Sequence, residues 1–323
     1  MCAITGGMTP DIPPHAILEI ARSLLPGTGD LRLERMTSGG STPVFHLQRG
    51  AEERYLRLAE SSTANLAPEA LAHRLMRAQG AQVPEVVALA TEDAALGRSW
   101  MVTNAIPGGP LLASLPASDI EGVLRAAGRD LACIHTIPVD GFGWIRRDTA
   151  AWQSLRGALP SQRDFTAELV AHLPALDGVL THPEMRALEE NVAARDALLP
   201  DGPARLVHGD FDLSHVFQRG GSYSGIIDFG EIRGADPLYD LGHFALHDGE
   251  FLAITALPAL LAGYAETTPL PPDAPSRIRL WSMLIGVRAL ALQATRPASA
   301  YQAYLLRTIR SILAERETED GGR

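Results

Sequence analysis

The sequence predicts an α+β protein of two lobes, an N-terminal five-stranded antiparallel sheet with helices and a mostly helical C-terminal lobe. Three observations carry this. Up to about residue 103 the chain reads as a helix, three short strands, a second helix and two more strands. A Pro/Gly-rich stretch at 104–110 then breaks the pattern, and beyond it apolar residues recur at helical spacing. The length of 323 residues is too great for one small core and suits two. The boundaries read as 1–103 for the N-terminal lobe, 104–110 for a hinge, 111–314 for the C-terminal lobe and 315–323 for a disordered tail.

Residues 14–25 form an amphipathic helix opened by Pro14 and stopped by Pro26 and Gly27. Strands follow at 31–36, 43–47 and 54–58. The first two are joined by Thr37, Ser38, Gly39, Gly40, Ser41 and Thr42, a turn able to fold its backbone N–H groups over phosphates, though most such turns are plain hairpins. The third strand alternates, putting Arg57 opposite Leu56 and Leu58. A helix at 67–79 opens with Pro68 and Glu69 and turns Leu71, Leu75 and Met76 inward. Strands at 83–89 and 99–103 complete the sheet. After the hinge, a helix at 118–136 starts on a Ser118–Asp119 cap. Helices follow at 162–174, 183–199, from 236, and at 250–265, 276–295 and 298–315.

The chemistry is concentrated in 206–217, Leu-Val-His-Gly-Asp-Phe-Asp-Leu-Ser-His-Val-Phe, and in 225–230, Gly-Ile-Ile-Asp-Phe-Gly. The turn 219–224 between them reads as a hairpin connection, which sets the two halves side by side. Asp210, His215 and Asp228 then fall at one rim. Such groups could hold a divalent cation and accept a proton, the two things phosphoryl transfer asks of a protein.

A histidine, an Asp two residues on, a metal-binding side chain five beyond that, and Asp-Phe-Gly after a short strand is the order of the kinase catalytic loop and metal motif. The loop resembles the His-Gly-Asp form of the aminoglycoside phosphotransferase and choline kinase superfamily, by motif from the Gly turn to Gly242 and by helical pattern beyond. The resemblance implies a bilobal protein-kinase-like fold, ATP or GTP as donor, Mg²⁺ as cofactor, Asp210 as the group that takes the hydroxyl proton, and His215 with Asp228 on the metal. The family usually has Asn at the position of His215, although a subset of antibiotic kinases has His. Mg²⁺ prefers oxygen ligands, so a second reading keeps His215 as a loop cap and leaves the metal to Asp228.

The resemblance also implies that Arg57 steadies the nucleotide phosphates and pairs with Glu69. The alternative for Glu69 is attraction to the helix dipole alone. It further implies that Asn104 and Ile106 meet the adenine through main-chain groups, and that Asp240 braces the metal loop. The turn at 138–143 is also similar to the family's Pro-x-x-Gly-Phe-Gly. The short interval from Gly230 to Asp236 leaves no room for a peptide-binding activation segment, so the acceptor is expected to be a small molecule, not a protein. An aminoglycoside-type antibiotic is favoured, with choline, homoserine or a sugar as the alternative acceptor. A nucleotide-binding pseudokinase is the reading from another class.

Composition bounds the rest. Hydrophobic residues make up 46% and charged residues 20%, the balance of a folded chain. A net charge of −10 argues against a nucleic-acid-binding surface. Residues 201–250 hold nine carboxylates against three Arg, a surplus that suits a cationic acceptor as well as it suits a plain solvated surface. Asp212, Glu231, Asp248 and Glu250 are the candidates to meet that acceptor. All 28 basic residues are Arg, so a phosphate contact usually made by Lys falls to a guanidinium. Cys2 and Cys133 show no metal spacing. No membrane span or leader is evident, Met8 is an alternative start, and a cytoplasmic location is expected. His208, behind Leu206 and Val207, is expected to brace its loop.

Overall fold

The structure, a computed structural model, describes residues 3–5, 12–36, 42–111, 115–148, 153–199, 202–250, 252 and 254–320. The expected phosphate turn at Ser38, Gly39, Gly40 and Ser41 lies outside the described residues. The chain divides into two compact units. Met1–Pro107, Arg146–Leu155 and Gly225–Ile227 form the first; Gly108–Ile145, Arg156–Ser224 and Asp228–Arg323 form the second.

The first unit contains β1 (Ala3–Thr5), α1 (Pro14–Leu24), β2 (Leu31–Arg35), β3 (Val44–Arg49), β4 (Glu52–Leu58), α2 (Ala67–Ala78), β5 (Val86–Ala90) and β6 (Trp100–Asn104). The sheet order is β1-β2-β3-β4-β6-β5. The five expected strands are antiparallel neighbours, and the short β1 adds a sixth, parallel to β2. Alternation decides which face is buried. Leu31, Leu33, Phe45, Leu47, Leu56, Leu58 and Val102 point inward and pack on Ile12, Ala16, Ile17, Ile20 and Leu25 at α1. On the opposite face of β4 lies Arg57, toward α2, whose Ala70 joins Ala59, Leu66 and Met101 in a second small core.

The second unit begins with β7 (Gly109–Pro110), α3 (Ala117–Ile134), β8 (Phe142–Ile145), β9 (Gly157–Leu159), α4 (Gln162–Val170), α5 (His182–Ala193) and α6 (Arg195–Leu198). It continues through β10 (Arg205–Val207), β11 (Val216–Arg219), β12 (Ser222–Ile226, whose Gly225 and Ile226 are counted with the first unit) and β13 (Arg233–Ala235) to α7 (Leu238–His247), α8 (Leu257–Thr267), α9 (Ala274–Ala294) and α10 (Ala300–Asp320). β10-β13-β8-β9 form one sheet and β12-β11-β7 another. Three elements differ from those expected, two of them with a local cause. α3 starts after Pro116 without a side-chain cap, because Ser118 and Asp119 already lie inside the helix. α8 starts at Leu257, not near 250, where Asp248 accepts the Ala256 and Leu257 amides at 2.8 and 3.1 Å. α10 continues to Asp320, past the residue where the tail was expected to begin. α7 lies against α9. Asp236 anchors the pair, accepting from Arg277 at 2.7 Å and from the indole of the fully buried Trp281 at 3.0 Å.

Candidate active site

The His208–Gly209–Asp210 turn leaves the end of β10, which pairs antiparallel with β13 so that Leu206 faces Gly234. Leu206 and Val207 are wholly buried, so the turn emerges from a fixed strand. Gly209 has φ +88°, and a Cβ there would overlap the Glu231 carbonyl, so no side chain fits. Asp240 on α7 accepts the His208 amide at 2.7 Å and the Gly209 amide at 2.9 Å. His135 approaches the same carboxylate at 3.0 Å. Burial would raise the Asp240 carboxyl, but the His135 contact, the nearby histidines and the Gly209 amide hold it below its ordinary value. Asp240 thus braces the His208–Gly209–Asp210 turn, where the resemblance had it brace the metal loop. From the other side Arg233 donates to the Gly209 carbonyl at 3.0 Å while its guanidinium lies 4.3 Å over Trp144.

Asp210 sits at the tip, its side chain 48% exposed. His243 Nε2 lies 3.1 Å from its Oδ1. Burial acts to raise the Asp210 carboxyl; the hydrogen bond and charge of His243, with the imidazoles of His215 and His208 beside it, outweigh it and hold the group well below the usual carboxylate range. His208 does brace the loop. Its Nδ1 accepts the Asp210 amide at 3.3 Å, and its ring lies 4.8 Å from Phe229 and 5.2 Å from His215.

His215 Nδ1 is 2.7 Å from the Asp210 carbonyl oxygen. A carbonyl only accepts, so Nδ1 carries a proton, and in the neutral ring it is Nε2 that offers a lone pair. That Nε2 is 3.8 Å from Asp228 Oδ2. Asp228, 48% exposed, stands at φ 64° and ψ 64°, the one non-glycine with positive φ among the described residues. A left-handed Asp costs roughly 1 kcal/mol and marks a side chain held where local preference does not put it. The three residues of the motif are therefore joined in space: His215 bonds the backbone of Asp210 and faces Asp228. A nitrogen lone pair and a carboxylate at this separation fit a divalent cation. Among the described residues no third His, Cys, Asp or Glu completes an ion-holding group, so phosphate oxygens or water must supply the remaining ligands.

The candidate acceptor carboxylates divide. Asp212 caps its own loop, accepting the Ser214 amide at 2.7 Å and hydroxyl at 2.6 Å. Glu231 pairs with Arg233 at 3.0 Å, and Asp248 is taken up by the two amides that open α8. Glu250 differs: its Oε2 is buried with no hydrogen-bond partner among the described residues. Burial first, and then the charge of Asp212, push the Glu250 carboxyl up to about 7.

In the first unit, Arg57 Nη1 lies 3.4 Å from Glu69 Oε1 and Nη2 lies 3.4 Å from the Thr42 hydroxyl. The expected pair therefore forms, and Glu69 is 1% exposed. Arg147 donates to the other Glu69 oxygen at 3.1 Å and lies 3.5 Å from Glu60. Asn104 is held by Glu85, whose amide its Oδ1 accepts at 2.6 Å and whose carbonyl takes its own amide at 3.0 Å. Ile106 packs against Gly225, within 3.3 Å of where a Cβ would stand.

Two functional candidates carry little or no signal in the sequence. Arg147 follows a Gly-Phe-Gly-Trp strand and has no periodic signal. His243 could have been noticed: it lies three residues after Asp240 and shares its helix face.

Residues 32–281 match the model of the phosphotransferase enzyme family. An aminoglycoside 3′-phosphotransferase of Streptomyces fradiae is 28% identical over 211 residues, covering 61% of this chain and 73% of that protein. Acyl-CoA dehydrogenase family member 11 of Rattus norvegicus is 24% identical over 243 residues, covering 69% of this chain. This chain spans only 29% of the length of that rat protein. Among solved structures, a thermostable mutant of aminoglycoside phosphotransferase APH(4)-Ia in ternary complex with ADP and hygromycin B superposes with a TM-score of 0.67 at 18% identity, covering 92% of this chain and 98% of that one. The likeness shows the protein-kinase-like fold over 92% of this chain, as the motif predicts.

Proposed function

The chain belongs to the phosphotransferase enzyme family, and on that premise we propose that it transfers the γ-phosphoryl group of ATP or GTP to a hydroxyl of a small molecule, in the first instance an aminoglycoside-type antibiotic. The observation that carries this reading is the linkage of Asp210, His215 and Asp228 through the 2.7 Å contact of His215 to the Asp210 backbone and its 3.8 Å approach to Asp228. Asp210 orients the acceptor hydroxyl and takes its proton as the new O–P bond forms and the bond from the γ-phosphorus to the β-γ bridging oxygen breaks, releasing the nucleoside diphosphate. Held ionised by the surrounding imidazoles, it is a weak base, so its contribution is mainly alignment.

His215 Nε2 and Asp228 are the residues that would hold Mg²⁺, which when bound neutralises phosphate charge. Arg57, kept in place by Glu69, would steady the phosphates, with the glycine-containing turn at 38–41 as a further contact. At Asn104 the amide is already bonded to Glu85, so an adenine contact there falls to the carbonyl; at Ile106 the amide is the matching donor. For the acceptor, the acidic surplus of 201–250 suits a polycation, and Glu250 is the carboxylate left without a hydrogen-bond partner among the described residues. The aminoglycoside 3′-phosphotransferase of Streptomyces fradiae and the hygromycin B held by the solved structure support the same class. No helix among the described residues is long and apolar enough to cross a membrane, in keeping with a cytoplasmic enzyme.

The test is release of ADP or GDP by the purified protein in the presence of Mg²⁺ and a panel of aminoglycosides, choline, homoserine and sugars. Acceptor-dependent release with an aminoglycoside is the expected result. Release only with choline, homoserine or a sugar reassigns the acceptor, and release that no acceptor stimulates overturns the reading.

A further inference from the structure

Helix α7 turns one face to the catalytic loop. Asp240 takes the first two amides of that loop, and one turn later His243 reaches the next two residues, Asp210 and Phe211. Its Nδ1 is 3.0 Å from the Phe211 carbonyl oxygen and its Nε2 is 3.1 Å from Asp210 Oδ1. A carbonyl and an ionised carboxylate can only accept. Both contacts are hydrogen bonds only when the ring carries a proton on each nitrogen.

The groups around His243 favour that doubly protonated ring. Its side chain is 7% exposed, and a buried cation needs a paired anion, which Asp210 supplies at contact distance and Asp212 supplements. On its other side the ring of His247 stacks at 4.5 Å. Burial and the charge of His243 hold His247 down at about 4, so the stacked neighbour is neutral and does not repel the cation. His247 is in turn fixed by its Nδ1 contact to the His243 carbonyl at 2.9 Å and by the Tyr301 hydroxyl at 3.0 Å. The ring of His243 is thus clamped at both nitrogens and on one face.

We propose that His243 is the positioning residue of the Asp210 carboxylate, donating to Oδ1 while anchored at Phe211, so that Oδ2 is the oxygen turned to the acceptor hydroxyl. This rests on the role of Asp210 in the proposed phosphoryl transfer. An Asp has two rotatable bonds, and in a loop whose backbone alone is held its carboxylate samples several orientations. A donor on Oδ1 removes that freedom before the acceptor arrives. A misplacement of about 1 Å at a reacting group costs on the order of a hundredfold in rate, which sets the scale of what this contact protects.

Two substitutions of His243, and a spectrum compared with that of Asp210→Ala, test it. His243→Phe keeps ring bulk and removes both donors; His243→Gln restores an N–H near the position of Nε2. The expected result for H243F is a fall in kcat of about thirty- to a hundredfold with KM for nucleotide and acceptor within about threefold, and for H243Q a recovery of most of that loss. Thermal unfolding of each variant identifies any loss that comes from misfolding, and the spectrum of the wild-type ring carries the test if H243F is unstable. Independently of turnover, ¹⁵N-edited spectra of the wild-type imidazoles should show one ring protonated at both nitrogens whose Nε2–H signal is lost in Asp210→Ala. Full kcat in a folded H243F, or a ring with a single N–H, overturns the positioning role. A wild type that shows the doubly protonated ring yet transfers phosphate to nothing removes the function assigned to Asp210, and the positioning role with it, while the contact itself stands.

Discussion

Arg147 donates to Glu69 across 3.1 Å although 78 residues separate them in the chain. Arg57 holds the other oxygen of the same carboxylate, so one buried anion orients two guanidinium groups. Removing it takes the buried counter-ion from both guanidinium groups, at positions where only 16% and 17% of their side chains are exposed, although Arg147 keeps its approach to Glu60. Glu69→Ala should therefore cost about 3 kcal/mol in urea unfolding. Arg147→Ala, which leaves the Arg57–Glu69 pair intact, should cost clearly less. Glu69→Gln should raise KM for ATP, since Arg57 loses the charge that aims it.

Asp210→Asn removes the proton acceptor and preserves the shape. The expected result is a loss in kcat of about a thousandfold with nucleotide affinity unchanged within about twofold, read by product formation and by calorimetric titration of a non-hydrolysable nucleotide. A parallel loss of nucleotide affinity would count against the role.

Asp240→Asn replaces an acceptor of three hydrogen bonds with a group that must present N–H to donors. A penalty of about 2–4 kcal/mol is expected. The pH dependence has a definite sign. The folded carboxyl is held below its ordinary value of 3.8, so its contribution is complete above that value and is lost as pH falls through the folded pKa. Below about pH 4 the wild type should lose stability more steeply than Asp240→Asn, as followed by acid unfolding.

His247 and Glu250, 3.9 Å apart, tilt the stability profile in opposite directions. With His247 lowered from 6.5 to about 4, the unfolded chain binds the extra proton in that window, and stability rises with pH across it. With Glu250 raised from 4.5 to about 7, the folded chain binds the extra proton, and stability falls as pH rises across that window. Glu250→Gln should uncover the rising limb and be more stable than wild type at pH 8. Thermal unfolding at intervals from pH 4 to 8 measures both slopes.

His215→Asn exchanges an imidazole ligand for an amide oxygen. Imidazole suits Mn²⁺ better than it suits Mg²⁺, and oxygen suits Mg²⁺. The ratio of nucleotide affinity in Mn²⁺ to that in Mg²⁺ should therefore fall several-fold in the variant, and a chelator should abolish turnover in both proteins.

The sheet of the first unit was legible because strand alternation is a local signal: Leu56 and Leu58 on one side of Arg57 are enough to orient β4. The kinase-like loop was legible because its spacing lies within a few dozen residues. The short strands β8, β9 and β13 were not, since three or four residues with a Gly among them carry too little pattern to separate a strand from a turn. The assignment of Asp248 to an acceptor rested on local acidity, and its two amide partners lie eight and nine residues further on, across a turn with no periodicity.

Periodicity and motif spacing act over a few residues, so the sequence by itself determined the antiparallel sheet, the helical remainder and the three residues of the loop, while the pairing of Arg57 with Glu69 was implied by the family resemblance. For Asp240, Asp236 and the second oxygen of Glu69 the partner was decided only when distant segments packed. His135 reaches Asp240 over 105 residues and Arg147 reaches Glu69 over 78, and which carboxylate is capped, paired or left without a hydrogen-bond partner depends on those approaches. The physical reason is that a buried charge is satisfied by whatever the fold brings within about 3 Å, and that distance is set by helix and strand packing, which no short window of sequence contains.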